Sequence, residues 1–158
     1  MKIRKITPEN YDKVSALLRQ AFPKSNYEVK LVESLRRNNR LTHEWAAIHT
    51  NRIIAYIAFS NAYHDASVIG LHLAPLAVKP EFQGQGVGSE LLRFALRQKE
   101  INESTIFVLG PADFYQKFGF EPCSVPVCPF TKNNAHFLSI RNSCAVSFEV
   151  GYEPDFRK

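Results

Sequence analysis

A glycine-rich stretch, residues 83–89, has the residue types and spacing to hold an anion. It reads Gln-Gly-Gln-Gly-Val-Gly-Ser and follows an apolar segment, residues 71–78, that is typical of a β-strand. Apolar residues recur at helical spacing after it, which predicts a helix that begins at Val87. A helix start leaves its first backbone N–H groups without partners inside the helix and has partial positive charge, while glycines let a ligand approach the backbone. The stretch therefore predicts a site for a phosphate or diphosphate group.

Two other glycine motifs fit these residues poorly. A Walker A loop needs a Lys directly after its last glycine, and no Lys follows Gly88. A dinucleotide fingerprint needs the spacing Gly-x-Gly-x-x-Gly, whereas Gly84, Gly86 and Gly88 alternate with single residues. A turn without a ligand is the remaining alternative. It is disfavoured because each glycine near a helix start costs about 1 kcal/mol relative to Ala.

The spacing Gln-x-x-Gly-x-Gly from Gln83 to Gly88, after the Leu-Ala-Val of residues 76–78, resembles the acyl-CoA motif of the GCN5-related N-acetyltransferases, the GNAT family. The tail at residues 151–156, Gly-Tyr-x-Pro-x-Phe, resembles a bacterial branch of predicted N-acetyltransferases within that family. The resemblance implies acetyl-CoA as co-substrate and no metal. It also implies that the strand end pairs with the pantetheine arm and that the turn binds the pyrophosphate. The cofactor-binding residues implied are Leu76, Ala77, Val78, Gln83, Gly84, Gln85, Gly86, Val87, Gly88 and Ser89.

Acyl transfer from a thioester to an amine requires an oxyanion donor and an acid for the departing thiolate. A backbone N–H near Pro75 is a natural donor for the oxyanion, and the resemblance points to Leu76. Residues 115–120 look like the family's Tyr-x-x-x-Gly-Phe segment, in which Tyr115 would be the general acid. A phenol has a reference pKa of about 10, so it is protonated at neutral pH. The alternative is that Tyr115 is a core aromatic residue with a bonded hydroxyl.

The general base of the predicted site has several candidates. His72 lies on the strand before the turn, and its reference pKa of about 6.5 suits proton abstraction. It matches the first histidine of the His-x-His pair of arylalkylamine acetyltransferases, whereas Ala74 replaces the second. A structural histidine, Glu44 as base, and deprotonation through water are the alternatives. Glu81 and Asp113 are interpreted as a solvated residue and a helix cap.

These residues predict an acetyl-CoA-dependent N-acetyltransferase that moves the acetyl group to a primary amine of a small molecule or protein, directly within a ternary complex. A non-catalytic acyl-CoA-binding sensor or interaction module is the alternative, and Tyr115 argues against it. Tyr27, Glu28, Tyr63 and Asp65 would suit a cationic amine acceptor. A nucleic-acid-binding domain is a third hypothesis, because the net charge is +5, but no basic block or recognition motif supports it.

The order of elements matches the acetyltransferase fold, so the resemblance implies an α+β GNAT fold in a single domain, residues 1–158. We expect a mixed, mostly antiparallel sheet of about six to seven strands, splayed between the strands at 67–78 and 104–109 and flanked by about four helices. The helices are predicted at residues 8–22, 27–38, 87–100 and 114–118. The strands are predicted at residues 2–6, 44–49, 52–59, 67–78, 105–109, from 120, 136–140 and 144–150.

Composition limits the compartment and the partners. The start, residues 1–6, lacks a signal-peptide core, and the longest apolar run, residues 53–59, is too short to span a bilayer. We therefore expect a cytoplasmic protein, monomeric or homodimeric, without a nucleic-acid or membrane partner. Cys123, Cys128 and Cys144 are an odd set, so structural disulfides are not expected. A zinc site formed with His136 is the less favoured alternative to small buried side chains.

Overall fold

The computed structural model describes residues 1–130 and 134–157, and its elements confirm the predicted α+β class. Short 3₁₀ turns at Pro8–Asn10, Pro80–Phe82, Asn134–His136 and Pro154–Arg157 supplement the helices. In chain order the elements are β1 (Lys2–Lys5), α1 (Tyr11–Ala21), α2 (Tyr27–Arg37), β2 (Thr42–His49), β3 (Arg52–His64), β4 (Ser67–Val78), α3 (Val87–Leu96), β5 (Ile106–Leu109), α4 (Ala112–Gln116), β6 (Glu121–Pro122), β7 (Phe137–Ile140) and β8 (Gly151–Tyr152).

The strands form one mixed, mostly antiparallel sheet. Hydrogen-bonded neighbours follow the order β1-β2-β3-β4-β5-β7-β6, and β8 pairs with β3. Strands β4 and β5 are parallel, and their ladder covers two residue pairs, Leu71 with Ile106 and His72 with Phe107. So short a ladder is compatible with the predicted splay between these strands. The described part of the chain contains 8 strands, close to the six to seven expected, and two of them, β6 and β8, have only two residues each.

Contacts divide the chain into two compact units, of which the first contains residues 1–59, 74–102 and the C-terminal turn. Its core is formed by the apolar faces of α1 and α2 against strand residues. Val14, Leu17 and Leu18 are buried on α1 at the spacing that predicted this helix. The four apolar residues of α2 that were expected in the core, Val29, Leu31, Val32 and Leu35, are all buried.

The β2–β3 hairpin confirms the predicted turn at Thr50 and Asn51. Both residues have positive φ, 52° and 61°, as the two central residues of a type I′ turn require. Residues 53–59 of β3 are all buried, which confirms a central strand covered on both faces.

The second unit contains residues 60–73 and 103–153. It includes the β3–β4 turn, β5, α4, β6, β7 and β8. Strand β7 pairs antiparallel with both β5 and β6, and Tyr152 of β8 pairs with Ala62. The core of this unit is formed by Ala62, Phe107, Cys123, Cys128, Phe137 and Val150.

Three predicted elements need correction. The first helix begins as a 3₁₀ turn at Pro8 and becomes α-helical only at Tyr11. The predicted strand at 144–150 is irregular, because the N–H of Val150 and the carbonyl of Phe148 bond to Val127 of a neighbouring loop instead of a sheet ladder. The N-cap position before α4 is occupied by Pro111 and not by Asp113.

No helix within the described ranges is long and apolar enough to cross a membrane.

Candidate functional site

The glycine turn lies between the end of β4 and the start of α3, as predicted, and all of it belongs to the first unit. After β4 the N–H of Lys79 donates to the carbonyl of Ile54, at 2.8 Å. Gly84 and Gly86 have φ of 74° and 82°, in the left-handed region where side chains are strained. A Cβ at either position would meet no atom within 4 Å, so the glycines are required by the backbone and the space before the turn is open.

Backbone N–H groups at the start of α3 point out of the helix. Its first residues are Val87, Gly88 and Ser89, and the first hydrogen bond back to the turn is from Glu90 N to Gly86 O, at 3.0 Å. The N–H groups of Val87, Gly88 and Ser89 therefore have no acceptor inside the helix and can donate to a ligand. The open space and these donors are the features that the predicted anion site requires, and ligand binding by residues 83–89 stays a prediction.

Two glutamine side chains of the turn, Gln83 and Gln85, form hydrogen bonds with backbone carbonyls and so stabilise the conformation of the turn. The amide of Gln83 donates to the carbonyl of Val78, and that of Gln85 donates to the carbonyl of Glu81, each at 2.9 Å. Gly88 packs closely on the strand end, because a Cβ there would be 3.3 Å from Cγ2 of Val78. The predicted cofactor residues of the turn thus shape the site mainly through the backbone.

The strand end alternates in burial. Ala77 is buried in the core of the first unit, while Leu76 and Val78 are half-buried. Pro75 lies within β4, and the peptide bond before it is cis. The use of the Leu76 N–H as oxyanion donor stays a prediction.

Tyr115 lies on α4 in the second unit with a buried ring, 6% exposed. The ring packs edge-on against Phe114 and Phe120, with centroids 5.0 and 5.5 Å apart. Burial raises the pKa of Tyr115 to about 12, so the phenol holds its proton at neutral pH. Its hydroxyl has no hydrogen-bond partner in the described part of the chain. The hydroxyl oxygen is also not fully buried. A core tyrosine normally has a bonded hydroxyl, so this geometry favours the general-acid interpretation.

Gly110 is a residue of this site that the sequence analysis missed. A Cβ on Gly110 would be 2.6 Å from Cε2 of Tyr115, so only glycine leaves the ring in its place. The sequence signal for it is a glycine directly after the apolar run of residues 105–109.

His72 is buried within the second unit, and its ring stacks on Tyr152 with centroids 3.7 Å apart. Burial lowers the pKa of His72 to about 3, because the enclosed ring cannot easily take a charge. An imidazole with so low a pKa is neutral and weakly basic at pH 7. A general-base role for His72 stays a prediction that this environment disfavours.

Glu44, the other candidate base, has its carboxylate occupied. It accepts hydrogen bonds from Arg36 at 2.9 Å, Thr42 at 2.8 Å and Tyr56 at 2.5 Å. The guanidinium of Arg36 also lies over the Tyr11 ring, 3.9 Å from its centroid. These contacts describe a structural network of the first unit.

The candidate acceptor residues are found in both units and are partly engaged. In the first unit the hydroxyl of Tyr27 donates to the carbonyl of Phe156, at 2.8 Å. One carboxylate oxygen of Glu28 is buried and has no hydrogen-bond partner among the residues that the structure describes. In the second unit the hydroxyl of Tyr63 donates to Glu153, at 3.0 Å, while Asp65 lies in the β3–β4 turn. Glu153 was missed, because an acidic residue near the C-terminus gives no sequence signal.

The three cysteines belong to the second unit, and Cys144 is only partly buried. All three are free, and Cys123 and Cys128 are buried in the core of the second unit. Within residues 1–130 and 134–157 no group of three or more His, Cys, Asp or Glu side chains could hold a metal ion.

Comparison with known proteins agrees with this architecture. Residues 40–122 match the family model of the acetyltransferase (GNAT) domain. The N-acetyltransferase YhbS of Escherichia coli K12 is 35% identical over 126 residues, which are 77% of this chain and 74% of that protein. The E. coli N-acetyltransferase YjhQ is 39% identical over 82 residues, which are 49% of this chain but only 45% of that protein.

Solved structures give the same result. The crystal structure of E. coli YhbS in complex with CoA has a TM-score of 0.89 at 29% identity, over 99% of this chain and 92% of that one. A GNAT acetyltransferase of Brucella melitensis in complex with acetyl-CoA has a TM-score of 0.82 at 26% identity, over 98% and 97% of the two chains. The chain therefore belongs to the GNAT acetyltransferase family. The predicted family, acyltransferase class and acetyl-CoA co-substrate are confirmed at that level.

Proposed function

We propose that this protein is an acetyl-CoA-dependent N-acetyltransferase whose glycine turn binds the pyrophosphate of the co-substrate. The observation that supports this most is the open space in front of Gly84 and Gly86, directly before the unpaired N–H groups of α3. The CoA and acetyl-CoA complexes of the two structural relatives support the same assignment. Leu76, Ala77 and Val78 would then provide the strand edge for the pantetheine arm.

The acetyl group is transferred directly from acetyl-CoA to the amine within a ternary complex. The nitrogen of the neutral amine attacks the thioester carbonyl, the new C–N bond forms, and the C–S bond breaks as the tetrahedral oxyanion collapses. The N–H of Leu76 donates to that oxyanion. Tyr115 gives its proton to the departing thiolate, the surplus proton of the amine passes to water, and the Tyr115 phenolate regains a proton from water.

Two features of Tyr115 favour an enzyme over a non-catalytic acyl-CoA-binding module. Its buried ring fixes the position of the phenol, and its hydroxyl, which has no partner among residues 1–130 and 134–157, is available to another molecule. A binding module has no need of an acid beside the sulfur. We propose transfer without a protein general base, because His72 is a weak base and Glu44 is already bonded.

Compartment and assembly are also proposals. Acetyl-CoA as co-substrate and three free cysteines favour a cytoplasmic, reducing environment. We expect a single domain that is monomeric or homodimeric, with neither nucleic acid nor membrane as a partner.

A broad acceptor screen tests the function. Purified protein is incubated with acetyl-CoA and amines of different classes, free thiol is measured, and the N-acetyl product is identified by mass spectrometry. We expect thiol release that depends on the amine and yields an acetylated product. Acetyl-CoA binding without amine-dependent thiol release from any small or protein amine would favour the binding module instead.

A further inference from the structure

Glu153 is a buried carboxylate to which the proposed mechanism gives no role. It follows β8 directly and is 5% exposed. Tyr63, which pairs with Gly151 across the β3–β8 ladder, donates its hydroxyl to Oε1 of Glu153 at 3.0 Å. The ladder thus fixes the phenol that orients this carboxylate.

Asp155, the second buried carboxylate of the tail, has hydrogen-bond donors and a cation that stabilise its charge. Asp155 accepts hydrogen bonds from Ser34 at 2.5 Å, Asn38 at 2.7 Å and the guanidinium of Arg40 at 2.9 Å. Burial alone would raise the pKa of Asp155, but these three donors lower it to about 2. Asp155 is therefore a structural anion with its own cation.

Glu153 has no such compensation. The hydroxyl of Tyr63 is its hydrogen-bond partner, and no ion pair joins it to a cation in the part of the chain that the structure describes. Oε2 of Glu153 is not fully enclosed, although the residue as a whole is only 5% exposed. Burying a carboxylate is costly unless a cation or several donors accompany it. The missing cation points to a ligand that brings one.

We propose that Glu153, oriented by Tyr63, binds a positively charged group of the acceptor, and that the acceptor is an amine with a second cationic centre. This inference rests on the proposed function. The attacking amine must be neutral when it reacts, so the charge that Glu153 binds belongs to another group of the same molecule. Aliphatic diamines are the simplest compounds of this class.

The test compares two acceptors of equal chain length, the diamine cadaverine and the monoamine pentylamine, in wild type and in Glu153→Gln. We expect wild type to have the higher kcat/KM for cadaverine. Glu153→Gln should lower that value by about tenfold or more, mainly through KM, because a hydrogen-bonded charge pair is lost. The rate with pentylamine and the KM for acetyl-CoA should not change. Tyr63→Phe should reduce the preference for the diamine less, since it only loosens the carboxylate.

Glu149→Gln is the matched control, because it makes the same chemical change at an exposed glutamate of the same unit. Equal kcat/KM for the two amines in wild type, or an equal loss for both in Glu153→Gln, would overturn the proposal. If no amine releases thiol, the proposed function fails, and calorimetric titration of cadaverine into the CoA-bound protein still tests Glu153. Tighter binding by wild type than by the variant supports the inference, whereas equal or absent binding refutes it.

Discussion

Tyr115→Phe is expected to lower turnover by about 10²- to 10⁴-fold while acetyl-CoA affinity stays nearly the same. The substitution keeps the ring and its edge contacts with Phe114 and Phe120 and removes the proton that the thiolate needs. Burial raises the pKa of Tyr115 to about 12, so the phenol stays protonated below that pH. Steady-state kinetics with an identified acceptor and calorimetry with acetyl-CoA measure the two quantities on one preparation.

Thermal unfolding of the same variant separates catalysis from packing. The hydroxyl of Tyr115 has no partner within the described residues, so its removal should leave the melting temperature unchanged. If Tyr115 were only a core residue with a bonded hydroxyl, the variant would instead lose about 1 kcal/mol of stability and keep the turnover of wild type. Wild-type turnover in Tyr115→Phe, under conditions where chemistry limits the rate, would show that another group protonates the sulfur.

Gly110→Ala is expected to lower turnover by about 100-fold, because it displaces the ring of Tyr115. The added Cβ would lie 2.6 Å from Cε2, too close for any real contact, so the ring must move. A misplacement of about 1 Å in a reacting group can cost 10²-fold in rate. The backbone of Gly110 is not in the left-handed region, so alanine adds no backbone strain there. Its N–H can still donate to the carbonyl of His136, at 2.8 Å.

The double variant Gly110→Ala with Tyr115→Phe is the control for this effect. If Gly110 acts only by leaving room for the phenol, the double variant should be no slower than Tyr115→Phe alone. If the fold-losses in turnover of the two single variants multiply in the double variant, Gly110 supports activity independently of Tyr115.

Most of the fold could be predicted because its elements have strong periodic signals. Strand β4 has the predicted bounds, and the buried run in β3 and the buried face of α2 also agree with the structure. The segment 144–150 was wrongly predicted to be a strand, because alternation of apolar residues also suits a loop that covers the core through Phe148 and Val150. Nothing in that pattern indicates that its backbone bonds to Val127.

The site was predictable where it depends on backbone geometry. Alternating glycines before a helix predict a turn with positive φ and free N–H groups, and Gly84 and Gly86 have that conformation. Roles that depend on the environment of a side chain were not predictable. Reference values suggested His72 as a base, whereas enclosure lowers its pKa to about 3. Glu153 is identified only by its burial in the structure and by the hydrogen bond that the Tyr63 hydroxyl donates to it.

Calorimetric titration of CoA into wild type, Ser89→Glu and Ser89→Gln tests the central claim, that the start of α3 binds the diphosphate. Ser89 is the third residue of α3, where a glutamate favours the helix itself, so weaker binding cannot result from a damaged fold. A negative charge a few ångströms from the diphosphate opposes it by on the order of 1–4 kcal/mol. We predict one CoA per chain in wild type, an affinity at least about tenfold lower in Ser89→Glu, and a much smaller loss in Ser89→Gln, which has the same size without the charge. Equal affinities for the Glu and Gln variants, or no binding of CoA to wild type, would contradict the assignment.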